Sequence, residues 1–339
     1  MSIIDKIKDL WSQDQQNWAL LPVDAPSIPQ LPGALGYAQT VNPHEAYVTV
    51  MMRSMAVDAT RVGWNRFHAA LYSQASFGMS NGSIASIQSV LSPDFLRDLD
   101  PKRIQNVLQI DRTIFGPVPY IGNQISFETG VFAVKDADLA VPFLTCLTEL
   151  ASAGGVALVS VAKPFIEPIK TGIELLTGTV GATLLEIALC RNLQPPQTGW
   201  YALLRVPGTS VNASELKVQP TNFELLRHGS SMSGVPYLVF SIEANPERGD
   251  WAQIPELKAA YADFARAAEA NNQKDAKEAV KLFARRARLS PELLRTHVDD
   301  VIAAMEAHFK EVFPGRGPAG EASFKWELSQ LDVTFRAPQ

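Results

Sequence analysis

From Leu139 to Cys190 the chain carries only six charged residues in 52 positions: Glu149, Lys163, Glu167, Lys170, Glu174 and Glu186. A stretch so poor in charge cannot face water over most of its length, so the fold must enclose it or a bilayer must take it up. The longest uncharged run, Leu150 to Ala162, is 13 residues. That is short of the roughly 20 that a membrane-spanning helix needs. Burial beneath a sheet accounts for the same residues without a second state. Conditional insertion, as in soluble proteins that refold to make pores, tolerates shorter amphipathic pieces, with Gly154, Gly155, Gly172, Gly178 and Gly181 as hinges.

Inside this region Asp138 is placed to cap a helix running to about Ala151, which Gly154-Gly155 ends. Pro168 begins another, with Ile169, Ile173 and Leu176 on one face and Lys170 and Glu174 on the other. A helical insertion over 139–177 follows. Around it the chain reads as strands. Tyr47–Ala56 is rich in β-formers and free of breakers, and Arg66–Phe77, Gln124–Lys135, Thr183–Leu193, Trp200–Val206, Ser214–Val218 and Val235–Ile242 extend the pattern. Short helices are predicted at Pro93–Leu99 and Pro101–Leu108.

Both ends differ from this body. Ser2 and Asp5 followed by Ile3, Ile4, Ile7, Leu10 and Trp11 predict a capped amphipathic helix. Pro22, Pro26, Pro29 and Pro32 then predict an extended linker, so the body is expected to begin near Ala34. From Pro255 the composition shifts to Ala, Glu, Lys and Arg, predicting three helices over Pro255–Asn271, Lys274–Leu289 and Pro291–Val312. Phe324–Phe335 alternates enough to be a final strand returning to the sheet. The fold class is therefore α+β: a mainly antiparallel sheet or sandwich with a central apolar helical insertion and a C-terminal three-helix subdomain. The divisions are 1–33 for helix and linker, 34–245 for the sheet domain, and 246–339 for the helical subdomain with its final strand.

A length of 339 residues with 46% hydrophobic and 19% charged content is that of a globular chain. A formal net charge of −5 opposes a dedicated nucleic-acid binder. Cys146 and Cys190 sit among apolar neighbours without metal-ligand spacing and read as small core residues. Lys6 and Lys8 break the apolar pattern at the N-terminus, which disfavours a secretory signal and makes the cytoplasm the expected address.

Candidate chemistry is thin. Gly78-Met-Ser80-Asn-Gly82 is a literal G-x-S-x-G, the turn that exposes a serine nucleophile between a strand and a helix, and His228 is the histidine such a hydrolase would enlist. Gly, Ser and Asn are equally ordinary turn residues, and the regular βαβ alternation of that hydrolase fold is missing. His44, His68, His228, His297 and His308 are scattered, with no i, i+4 pair for a metal. No glycine loop ends in Lys-Ser/Thr for a nucleotide. No catalytic set, metal or cofactor is expected.

The sharpest pattern lies in the second C-terminal helix. Lys274, Lys277, Lys281, Arg285 and Arg288 step by 3, 4, 4 and 3 residues and form one basic stripe, opposite an apolar stripe of Ala276, Val280, Phe283 and Ala287. Asp275 and Glu278 dilute the positive field; a solvated face is the plain explanation, and docking to an acidic protein surface, an anionic lipid or a nucleic acid is the functional one. Ala279 through Leu293 resembles the second helix of a tetratricopeptide unit, a family that binds peptides and proteins. The resemblance covers about one unit and lacks the Trp, Gly and Tyr of a first helix, so it implies a helical hairpin alone. The functional expectation is a non-enzymatic cytoplasmic adaptor that meets another protein through its terminal helical elements. A triggered, membrane-active effector and a serine hydrolase using Ser80 are the alternatives.

Overall fold

The computed structural model describes residues 18–30, 33–56, 61–62, 65–78, 84–91, 107–135, 183–206, 211–232, 235–314 and 327–336. The strands are β1 (Trp18–Val23), β2 (Tyr47–Ala56), β3 (Arg61–Val62), β4 (Asn65–Gly78), β5 (Ile84–Leu91), β6 (Val107–Pro119) and β7 (Ile125–Lys135). They continue with β8 (Thr183–Leu193), β9 (Gly199–Arg205), β10 (Leu216–Val218), β11 (Leu225–Arg227), β12 (Ser230–Ser231) and β13 (Tyr237–Asn245). Helices α1 (Pro255–Glu269), α2 (Gln273–Leu289) and α3 (Arg295–Val312) follow. An α+β class with antiparallel sheets and three C-terminal helices is what the composition shift and the strand patterns predict.

Two antiparallel sheets face each other. One has the order β1-β9-β13-β2-β6, and the other runs β3-β4-β7-β8 with β5 also on β4. Alternation decides what each strand gives to the space between them. Val48, Val50 and Met52 of β2, Phe240 and Ile242 of β13, and Ile114 and Phe115 of β6 meet Phe77 of β4 and Ile125 and Phe127 of β7. The Phe127 ring lies 6.1 Å from that of Phe115 and 5.8 Å from that of Phe240, which locks the sheets face to face. The other face of the first sheet, carrying Trp200, Leu204, Tyr237 and Val239, is covered by the small β10-β11-β12 sheet through Leu216, Val218 and Leu225. At Gly116, φ is +97° and an added Cβ would stand 2.4 Å from the Val48 carbonyl oxygen, so only glycine lets β6 run this close to β2.

Registers define two ends. At one, Tyr47 opposes Pro119 and Ile125 opposes Leu193; at the other, Ala56 opposes Val107 and Val134 opposes Thr183. The chain between Lys135 and Thr183 is thus an excursion from neighbouring strands at the Ala56 end. The predicted insertion 139–177 lies within it and outside the described residues, as do Cys146, the N-terminal helix and the short helix at Pro93–Leu99. So does most of the helix expected over Pro101–Leu108, and Val107 and Leu108 belong to β6 instead.

The helices form a layer of their own at the Tyr47 end. Pro255 opens α1, where its missing N–H costs nothing. Asn271, at φ +51°, closes α1: its N–H donates to the Ala268 carbonyl, and that of Asn272 donates to Ala267, the paired bonds of a Schellman turn. Asn272 then caps α2 by accepting from the Asp275 N–H at 3.1 Å. These residues make a tight helical hairpin. Phe264 of α1, Phe283 of α2, and Val301 and Met305 of α3 fill its core.

Three expectations are corrected. Trp18–Val23 is an edge strand, with Pro22 opposite Tyr201, so the body begins before Ala34 and the proline-rich linker over residues 21–33 is partly strand. An edge position tolerates Pro because the outer backbone row needs no donor. Residues 327–336 hold no strand. A 3₁₀ turn at Leu328–Gln330 places Leu328 and Leu331 in the helical core, and Val333 and Phe335 pack against it. The final segment returns to the helices because its apolar residues find cover there. Finally, α3 starts at Arg295 rather than Pro291, since the Leu294 N–H is taken by the Tyr47 hydroxyl at 2.9 Å.

Candidate functional site

Helix α2 presents the surface that the sequence singled out. Ala276, Ala279, Phe283 and Ala287 are buried against α1 and α3, which turns Lys274, Lys277, Lys281, Arg285 and Arg288 to solvent. Arg286 is exposed as well, and sequence reasoning omitted it because it falls between the two stripes. With Asp275 and Glu278 as its only acids, the helix has a formal charge of +4 in a chain of −5. Lys281 donates to Glu278 at 2.7 Å, and that bond holds the Glu278 carboxyl below its ordinary range. Among the described residues no carboxylate pairs with Lys274, Lys277, Arg285, Arg286 or Arg288. Leu282 and Leu289, 36% and 68% exposed, are the large hydrophobic side chains that the described residues leave open to water.

A second cluster centres on Arg53. It is the one charge in β2, and the sequence signal for it was a lone guanidinium within Met51-Met52-Arg53-Ser54-Met55. The side chain lies over Trp200, 4.8 Å from the ring centroid, and 5.6 Å from that of Phe223. Its Nε donates to Ser241 Oγ at 3.0 Å, Nη1 to Asp111 and Nη2 to Glu243. The Ser241 hydroxyl in turn donates to Glu243 Oε1 at 2.9 Å. Asp111 reaches Arg53 from a β-bulge, where the β2–β6 register slips and its own φ is +44°. A cavity of about 160 Å³ lies above this cluster, lined by Ile28, Pro29, Leu35, Tyr37 and Met51 among others. Arg53 bonds to Ser241 and Glu243 of β13 and to Asp111 of β6, so the cluster fastens β2, β6 and β13 together.

The third site is the seam between sheets and helices. Tyr47 Oη accepts the Leu294 N–H at 2.9 Å and shares a hydrogen bond of 2.9 Å with His297 Nδ1. The Phe335 ring covers the imidazole at a centroid distance of 4.3 Å. Burial pushes His297 below its ordinary pKa, against the opposing pull of Asp300, the Arg336 backbone and Glu247. Burial likewise raises the Tyr47 hydroxyl. Beside it, Arg248 donates to Asp250, to the Glu292 carboxylate and to the Glu292 carbonyl oxygen, each at 2.8 Å. Sequence alone gave no sign of this pairing, because its partners are 44 residues apart.

Of the hydrolase candidates, the structure describes His228 and the strands that flank the G-x-S-x-G. Gly78 ends β4 and Ile84, paired with it, begins β5, so a strand follows the G-x-S-x-G where the hydrolase motif calls for a helix. Ser80 itself lies outside the described residues. His228 occupies the left-handed first position of the β11–β12 turn and lies 3.5 Å from Glu215. Among the described residues no helix is long and apolar enough to cross a membrane. No description of a protein family matches this sequence, and neither a curated protein nor a solved structure is significantly similar to it, so the helix face and the seam must be interpreted from their own geometry.

Proposed function

We propose that this chain is a non-enzymatic adaptor of the cytoplasm, in which the sandwich is a scaffold and the exposed face of α2 recognises an acidic surface on another protein. One observation carries this reading. Lys274, Lys277, Arg285 and Arg288 are held on one rigid helical face without a direct ion pair among the described residues, and Asp275 and Glu278 offset only part of a helix that keeps a formal charge of +4 in a chain whose net charge is negative. Unspent like charges on a fixed element repel one another, and a partner of opposite sign removes that cost while speeding encounter.

The test is quantitative cross-linking capture with the full chain and with a Lys277→Glu/Lys281→Glu/Arg285→Glu variant whose fold is checked by circular dichroism. We expect identified acidic proteins to be captured at least about tenfold less by the variant, and wild-type capture to fall as salt rises. Equal capture by both proteins would overturn the assignment.

A second reading keeps the low-charge segment in view. The chain leaves β7 at Lys135 and re-enters β8 at Thr183, next to Val134, so this apolar excursion is attached to the sandwich at the end away from the helices. Attachment at those two strand ends suits a membrane-active element tethered to the sandwich. Dye leakage from liposomes, with intact and protease-nicked protein, checks it; silence in both would remove it.

A further inference from the structure

We infer that the partner of α2 is itself an amphipathic helix, with apolar residues repeating every seven positions and Glu or Asp flanking them, seated on a seam made by Leu282, Arg285 and Leu289. This rests on the reading of α2 as a recognition face. Single exposed leucines are ordinary. Leu282 and Leu289 are different because they stand on one helix, one heptad apart, and therefore project from the same side about two turns along the axis.

The residues around them follow the logic of helix pairing. Arg285 lies between the two leucines on the same line, three residues after one and four before the other, and its aliphatic stem continues the apolar strip. Lys281 and Arg288 flank the strip on one side and Arg286 on the other. In a two-helix seam these are the positions that choose a partner by charge, and all three are basic, so they select carboxylates. Two turns of contact are short, so the complex is expected to be transient and salt-sensitive rather than obligate.

A lipid surface fits less well. A helix that lies on a bilayer must bury its main apolar face in the interface, and in α2 that face, with Phe283 and Ala287, is already committed to α1 and α3. Nucleic acid leaves the leucines without a role and meets a chain of negative net charge.

The probe is a labelled synthetic 21-residue helix with Leu at the two seam positions of each heptad and Glu at the four flanking ones, compared with the same peptide carrying Lys in place of Glu. Fluorescence anisotropy is read with the full chain, a Leu282→Ser/Leu289→Ser variant and a Lys281→Glu/Arg285→Glu/Arg288→Glu variant. We expect wild type to bind the acidic peptide alone, the serine variant to weaken binding at least about tenfold, and the charge-reversed variant to abolish it. If charge reversal abolishes binding but the serine variant binds like wild type, the face is basic docking surface only and the helical partner is wrong. If neither variant changes binding, the recognition role of α2 falls as well. Tighter association with phosphatidylserine vesicles than with the peptide, lost on charge reversal, would also overturn the helical partner.

Discussion

Arg53 and Arg248 are both almost fully buried guanidiniums, each paired with two carboxylates, yet they fasten different things. Arg53 ties together β2, β6 and β13, strands already joined by backbone hydrogen bonds. One of its acids, Asp111, is 44% exposed, so water can replace part of what Arg53 gives it. Arg248 joins the turn after β13 to Glu292 in the α2–α3 loop, two regions with no shared ladder, and the Glu292 side chain is only 6% exposed. A buried ion pair is thus redundant where a sheet surrounds it and decisive where it bridges layers.

The largest expected effect comes from cutting the bridge. Arg248→Ala leaves the Glu292 carboxylate buried without its cation, and loss of one partner from such a pair costs about 3–5 kcal/mol. Urea denaturation followed by fluorescence checks this, and proteolysis should reach the helical layer before the sandwich. An equal loss of protection in both layers would break the contrast. Arg53→Ala is expected to cost less, about 1–3 kcal/mol, because Asp111 and Glu243 both retain some access to water. A loss as large as that at Arg248 would show that the two clusters are equivalent.

A smaller and pH-dependent effect sharpens the same comparison at the seam. The pKa of His297 is depressed in the folded protein, so the unfolded chain binds its proton more readily. Its contribution to stability is therefore complete above about pH 6.5 and is lost as the pH falls below that value, by at most about 1.4 kcal/mol per pH unit. Glu292 acts in the opposite sense: burial raises its pKa despite Arg248, so protonation favours the folded state as the pH drops. Measuring unfolding free energy at pH 7.5 and 5.5 for wild type and His297→Gln isolates the histidine. Wild type should lose more stability on acidification than the variant, and parallel losses would assign the effect to other groups.

Much of this fold was legible because local signals agreed with the global arrangement. Tyr47–Ala56 and Thr183–Leu193 form strands over the bounds their composition predicts, and the spacing of Ala276, Phe283 and Ala287 fixed which side of α2 faces outward. Where the sequence misled, a long-range partner had the deciding role. Pro22 looked like a linker residue, but an edge next to Tyr201 accommodates it. Pro291 looked like the first residue of a helix, but the Tyr47 hydroxyl takes the Leu294 N–H and delays it. Phe324–Phe335 alternates like a strand, but Leu328 and Leu331 belong to the helical core. Of the candidate sites, the basic stripe was readable from one helix alone. The Arg53 and Arg248 clusters were not, since Asp111, Glu243 and Glu292 come from strands and loops far along the chain.

The pairing of Val134 with Thr183 has an engineering consequence. Antiparallel partners stand only about 5 Å apart, so a chain that leaves at one and returns at the other asks almost nothing of its surroundings. Closure entropy rises only slowly with the length of such a detour. The 48 residues between Val134 and Thr183 are therefore exchangeable as a unit: with a two-residue Asn-Gly turn in their place the sandwich should stay intact, and the same socket should accept a foreign domain.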